Sequence, residues 1–145
     1  MLSPTIDRTL DGLHPIFRAP FEAWFAHVSR EVPHVEFRCT EGRRTLKRQE
    51  WLYAQGRTPP HDRNPRVTWT IDSRHRWGLA ADLAMIRKNT GEAIWEISSW
   101  KWVYAQVPPA RYGLRHLGPL EWVHLEYRYA DEAIQEASVL GLIQT

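Results

Sequence analysis

Residues 73–82 read SRHRWGLAAD, and no other run constrains the fold as tightly. His75 and Asp82 stand seven residues apart with Gly78 between them. Side chains alternate across a flat strand, so an odd separation sends the two to opposite faces. They converge only if the chain bends between them, and Gly78 is the residue free to take the bend. With residues 79–86 as a strand, Asp82 shares its face with Ala80 and Ala84, while Leu79, Ala81, Leu83 and Met85 face a core. Two alanines beside a carboxylate leave room for an ion and its water.

A second segment completes the set. EWVH occupies residues 121–124, and beyond it Val123, Leu125 and Tyr127 alternate with His124, Glu126 and Arg128. The odd positions suit a core and the even ones face the same side as the site. Glu121 follows the breaker pair Gly118–Pro119, where loop becomes strand, and so stands off the ligand face. His75, Asp82 and His124 then supply two imidazoles and a carboxylate, with Glu121 as a spare carboxylate. Three ligands, an open position and a general base are the parts of a hydrolytic metal site. Two histidines and one carboxylate also compose the facial triad of non-haem iron oxygenases, which has no need of Glu121. Taken singly, each residue has a blander use: a strand histidine is commonly a half-buried hydrogen bonder, and Asp82 has many arginines to pair with. The combination of bend, small flankers and Glu-x-x-His favours metal.

Around these segments the pattern predicts an α+β domain with an antiparallel sheet, because helices and strands do not alternate as regular βαβ units. Helical spacing of Ile16, Phe17, Phe21, Trp24, Phe25 and Val28 predicts a helix over 15–29, with Pro20 a potential kink. Pro33 breaks the chain before a strand over 34–39. Thr45 is an N-cap and Gly56 a stop for a helix over 45–55. Residues 56–65 form a polar loop, and 67–70 and 79–86 are strands flanking the SRHRWG turn. A helix is expected over 98–106, loop over 107–119, a strand over 122–129 and a closing helix over 131–140.

The 145 residues suffice for one well-formed core, and no internal repeat is present. Eight tryptophans exceed what a core of this size needs, and such rings also suit a groove for an extended polar ligand. Of 19 basic residues only Lys47, Lys88 and Lys101 are lysines. Arginine's fork favours carboxylate or phosphate partners, yet acidic residues are interspersed and the net charge is only +2, which argues against dedicated nucleic-acid binding. Cys39 stands alone, so it forms no internal disulfide and reads as an inert, buried thiol. The first 17 residues lack the basic start and apolar run of a secretory signal, and no apolar stretch approaches a membrane span. His14, His27, His34 and His61 read as structural, whereas His116 is near enough to Glu121 in sequence to line the site on the substrate side.

Ser-x-His-x-x-Gly-x-Ala-x-Asp (Ser73, His75, Gly78, Ala80, Asp82) followed by acidic-x-x-His (Glu121, His124) resembles the zinc D-Ala-D-Ala carboxypeptidase and L-alanyl-D-glutamate peptidase family. EGRRTLKRQEWLYAQGRT at 41–58 and VTWTIDSRHRWGLAADLA at 67–84 resemble its phage endolysin branch. The resemblance implies a small α+β domain of hedgehog/DD-peptidase type, whose central antiparallel sheet carries Zn²⁺ and whose helices pack on that sheet. It implies His75, Asp82 and His124 as zinc ligands, Glu121 as catalytic acid/base and Arg44 as a substrate contact that steadies the oxyanion. Ser73 is implied to hydrogen-bond substrate or ligands. Arg43 departs from the family pattern, which has an aromatic before the arginine. The implied activity is hydrolysis of the L-Ala–D-Glu bond in the peptidoglycan stem peptide. The implied setting is a monomeric lysis enzyme, one peptidase domain over 1–145 without a wall-binding domain, made in the host cytoplasm and reaching the wall by holin-type release. A carboxypeptidase removing terminal D-Ala (or an L,D-carboxypeptidase) and a non-catalytic wall-binding module are the competing expectations.

Overall fold

A computed structural model describes residues 3–68, 70, 73–119 and 121–139 of the chain. In order, the elements are helix α1 (Pro15–Glu31), strand β1 (Val35–Glu41), helix α2 (Leu46–Ala54), a 3-10 turn (Arg74–Trp77) and strand β2 (Ala80–Arg87). Helix α3 (Ile97–Gln106), a second 3-10 turn (Pro109–Tyr112), strands β3 (Leu114–Leu117) and β4 (Glu121–Tyr127) and helix α4 (Ala130–Val139) follow. The strands form one antiparallel sheet in the order β1-β2-β4-β3. This is the α+β architecture expected from the sequence.

One face of the sheet is core. Leu79, Ala81, Leu83 and Met85 are buried there, as their alternation requires, and Leu125 joins them from β4. Helix α1 packs on them through Phe17, Phe21, Trp24 and Val28, a spacing of four, three and four that keeps one stripe inward. Trp24 and Trp100 meet Phe37 edge-on at 5.7 and 6.0 Å between ring centroids. Their indole N–H groups are satisfied by the carbonyls of Val107 and Ile94, which is what lets so large and half-polar a side chain be buried. Other tryptophans are not core: Trp95 and Trp102 are exposed. Helix α1 also runs through Pro20 without a break, and Ile16, expected on its apolar face, is exposed.

Two expectations fail. Residues 67, 68 and 70 are not in a strand, although Val-Thr-x-Thr has the composition of one. The Thr68 and Thr70 carbonyls are taken by side chains instead: Gln49 Nε2 donates to that of Thr70 at 2.7 Å and Arg57 Nη2 to that of Thr68 at 3.1 Å. Trp69 lies outside the described residues. Residues 107–119 are not all loop, for they hold the 3-10 turn and edge strand β3. Four residues are too few to display an alternation, and the flanking Pro108, Pro109, Gly113 and Pro119 mask the strand as loop. Residue 140, the expected end of the last helix, lies outside the described residues.

Candidate metal centre

The bend at Gly78 is where the sequence demands it. The 3-10 turn Arg74–Trp77 ends on Gly78 in the left-handed conformation, φ 68° and ψ 25°, which favours glycine. Ser73 opens the turn by accepting a hydrogen bond from the His75 amide at 3.2 Å. Beyond the bend, Asp82 on β2 stands directly opposite His124 on β4 in the sheet register. The turn, one strand and its neighbour thus bring His75, Asp82 and His124 together, with one possible ligand atom of each lying within 4.8 Å of the others.

Both histidines aim at one carboxylate oxygen. His75 Nε2 lies 3.3 Å from Asp82 Oδ1, and His124 Nδ1 lies 3.2 Å from the same atom. Tetrahedral zinc, with ligands at about 2.0–2.1 Å, separates its ligand atoms by about 3.3–3.4 Å, so both spacings suit that ion. His75 Nδ1 donates to the Gly42 carbonyl at 2.8 Å, which in the neutral ring leaves Nε2 bare, and that buried atom has no hydrogen-bond partner. A lone pair facing a carboxylate needs a positive centre between them. The donor set of two imidazole nitrogens and one carboxylate oxygen therefore fits Zn²⁺.

The charges around the site are arranged to keep Asp82 ionised. In the metal-free protein burial alone would raise its pKa, but contacts with His124 and His75 in their protonated forms outweigh burial and hold it well below the usual carboxylate range. In the metal-free protein burial also works against a charge on His124, yet its hydrogen bonds to Asp82 and Glu126 prevail and push its pKa up to about 9. Arg44 adds a fixed cation on the far side of Asp82. Its Nη2 lies 3.5 Å from Asp82 Oδ2 and 3.1 Å from Glu41 Oε1, and its Nη1 donates to Gln49 Oε1 at 3.0 Å. Glu41 is itself the cross-strand partner of Asp82, reached through a bulge between Cys39 and Glu41. Arg44 thereby bridges two neighbouring carboxylates, a task the sequence did not reveal, and Arg48 Nε pairs with the other oxygen of Glu41 at 3.1 Å.

A cavity of about 280 Å³ opens over this centre, and its lining includes Arg44, Ser73, His75, Glu121, His124 and Glu126. Five of the seven residues singled out from the sequence thus line it, and Asp82 lies within 3.5 Å of Arg44, His75 and His124. Glu121 is exposed at the start of β4, as its position after the breaker pair predicts. His116 is placed differently. It stacks between Tyr104 and Trp122, at 4.9 Å from each ring, and its Nδ1 accepts from the Gly118 amide rather than lining the cavity. Sequence reasoning missed Gln49, whose fully buried amide positions Arg44, and gave Glu126 no role. The alternation along β4 was a signal for Glu126, whereas nothing in α2 marked Gln49.

No family model matches the chain. It is 36% identical over 87 residues to the peptidoglycan L-alanyl-D-glutamate endopeptidase CwlK of Bacillus subtilis, a match covering 59% of this chain and 48% of the relative. The chain thus matches about half the length of that curated relative. Among solved structures it resembles the L-Ala D-Glu endopeptidase ChiX of Serratia marcescens, with a TM-score of 0.61, 18% identity and 90% and 92% of the two chains covered. It also resembles an E175A mutant of the D,D-pentapeptidase VanY from the VanB-type resistance cassette, solved in complex with Zn(II). That match has a TM-score of 0.57, 17% identity and coverage of 95% and 85%. The fold is that of these peptidases.

Proposed function

We propose that this chain is a zinc peptidase that hydrolyses the stem peptide of peptidoglycan at the L-Ala–D-Glu bond, acting as a phage or prophage endolysin in host lysis. The observation that carries the reading is the convergence of His75 Nε2 and His124 Nδ1 on Asp82 Oδ1 at the edge lengths of a zinc tetrahedron, beneath a cavity lined by Glu121 and Arg44. The activities named for CwlK and ChiX support the choice of bond. In this reading the chain works as a monomer and reaches the wall from the host cytoplasm by holin-type release. Among the described residues no helix is long and apolar enough to cross a membrane.

His75, Asp82 and His124 would hold the ion. Zinc bound in such a site supplies a Lewis acid for the scissile carbonyl and acidifies water. Glu121 takes the proton of the attacking water and returns it to the leaving amine. Arg44 faces the negative charge that develops on the carbonyl oxygen, where one well-placed donor contributes roughly 3–4 kcal/mol. Arg44 and Arg74 on the cavity wall suit the carboxylates of a stem peptide. Ser73, already committed to the His75 amide, steadies a ligand and lines the substrate path.

Mass spectrometry of muropeptides after digestion of purified peptidoglycan by zinc-loaded protein tests this. Fragments split between L-Ala and D-Glu are expected. No new amino groups, with or without zinc, would refute peptidase action. Release of free D-Ala would instead favour the carboxypeptidase reading, for which the likeness to VanY speaks.

A further inference from the structure

Glu126 has no part in the hydrolytic scheme, yet its burial and its bonds single it out. It is 1% exposed, two residues after His124 on the same face of β4. Its cross-strand partner is Ala80, whose small side chain leaves room for a carboxylate. Glu126 Oε2 accepts from Arg115, at 2.8 Å from Nε and 2.6 Å from Nη2, with Arg74 Nε 3.9 Å away. Its other oxygen, Oε1, lies 2.8 Å from His124 Nε2. A buried carboxylate is costly unless its oxygens are occupied, and here both are.

A neutral imidazole carries one N–H and one lone pair. With its N–H on Nε2 given to Glu126, His124 keeps the Nδ1 lone pair, and Nδ1 is the atom facing Asp82. The opposite tautomer would set an Nε2 lone pair against a carboxylate oxygen at 2.8 Å and turn a hydrogen toward the ligand cluster. His75 is held the other way round, since its Nδ1 donates to the Gly42 carbonyl and its Nε2 faces the cluster. We propose that Glu126 is a positioning residue, anchored by Arg115, which fixes the tautomer and ring orientation of His124 so that Nδ1 is presented to the metal. The assignment rests on the zinc reading of the site for the identity of the ion.

Two measurements test it. Zinc affinity by chelator competition is expected to fall about 10- to 100-fold in Glu126→Ala, the usual effect of removing a carboxylate behind a ligating histidine. Glu126→Gln keeps an acceptor for the Nε2 hydrogen and is expected to lie between Ala and wild type. An Ala variant that binds zinc within about threefold of wild type overturns the assignment. So does a Gln variant as weak as Ala, because the loss then follows the Arg115 ion pair alone. Long-range ¹H–¹⁵N spectra of the zinc-loaded wild-type imidazoles need no variant to fold: His124 is expected protonated at Nε2, and protonation at Nδ1 refutes the proposal. Wild type that takes up zinc and cleaves peptidoglycan while the variants match its affinity sinks this inference alone. Wild type that takes up no zinc sinks the proposed function.

Discussion

Gly78 is the hinge of the candidate site, and replacing it separates two costs that glycine conceals. In Gly78→Ala the new Cβ would lie 2.7 Å from the His14 amide nitrogen and 2.8 Å from the Gly12 carbonyl oxygen. The left-handed φ of 68° costs an L-residue about 1–2 kcal/mol. Backbone must also move, and the bond from the His14 amide to the Gly78 carbonyl, 2.9 Å long, is the first to go, adding about 0.5–1.5 kcal/mol. The total comes to about 1.5–3.5 kcal/mol. Gly113 is the internal control: its φ is 71°, but nothing lies within 4 Å of its Cβ position. Gly113→Ala should therefore cost only the conformational part, about 1–2 kcal/mol, and Asn should recover some of it. Asn at 78 should recover nothing, because the contact with backbone remains. Urea unfolding of chelator-treated protein measures both, read as midpoint changes at constant slope. Zinc affinity should fall for the variant at 78 and hold for the variant at 113, since only Gly78 joins two ligands. Equal destabilisation at the two sites, or an unchanged zinc affinity in Gly78→Ala, would refute the reasoning.

Other consequences follow from the site. Glu121→Gln should lower kcat on peptidoglycan by about 10²- to 10⁴-fold while zinc content stays at wild-type level, since Glu121 moves protons and does not ligate. In chelator-treated protein, the pKa of His124 is raised from 6.5 to about 9, so its contribution to stability is full below about pH 6.5 and fades as pH rises through 9. Unfolding free energy should drop on the order of 2–3 kcal/mol over that window, and the drop should vanish with zinc, which takes the place of the proton. Burial, with Asp82 and Asp7 nearby, pushes the Cys39 thiol up to about 11 from 9.0. Iodoacetamide should then label native Cys39 near pH 8 about 100-fold more slowly than an ordinary thiol, a difference lost on unfolding.

The sequence made the ligands legible because each carries a local signature. His75 and Asp82 share one short run in which a glycine resolves the conflict between odd spacing and a common target, and His124 sits in a strand whose alternation assigns its face. Helix α1 was legible from periodicity, and α2 from Thr45, which does cap it by accepting from the Arg48 amide. What failed had no local signature. Residues 67–70 have strand composition, but Gln49 and Arg57 occupy the carbonyls of Thr70 and Thr68, and neither competitor lies within ten residues of the atom it captures. Strand β3 is recognisable only through its partner, since Leu114 and Arg115 face Tyr127 and Glu126 across the ladder. His116 lay near Glu121 in sequence and was assigned to the site for that reason. The stack with Tyr104 and Trp122, a contact with α3, overrides that proximity.

The geometry of the metal centre is in the end a product of the core on the opposite face. Glu41, Asp82 and His124 form a row across β1, β2 and β4. A slip of one residue between β2 and β4 would place Val123 or Leu125 opposite Asp82 and turn His124 inward. What forbids the slip is the burial of Leu83, Met85 and Leu125, each no more than 1% exposed, against Trp24 and Trp100. Exposing even one such side chain costs about 1.5–3 kcal/mol, more than a buried ion pair returns once its desolvation is counted. The Arg44 bridge between Glu41 and Asp82 then refines a register the core has already chosen. Its partners lie on three elements, so no spacing rule could have found it. Core packing sets which carboxylates face one another, and only then does an arginine three residues past Glu41 acquire its task.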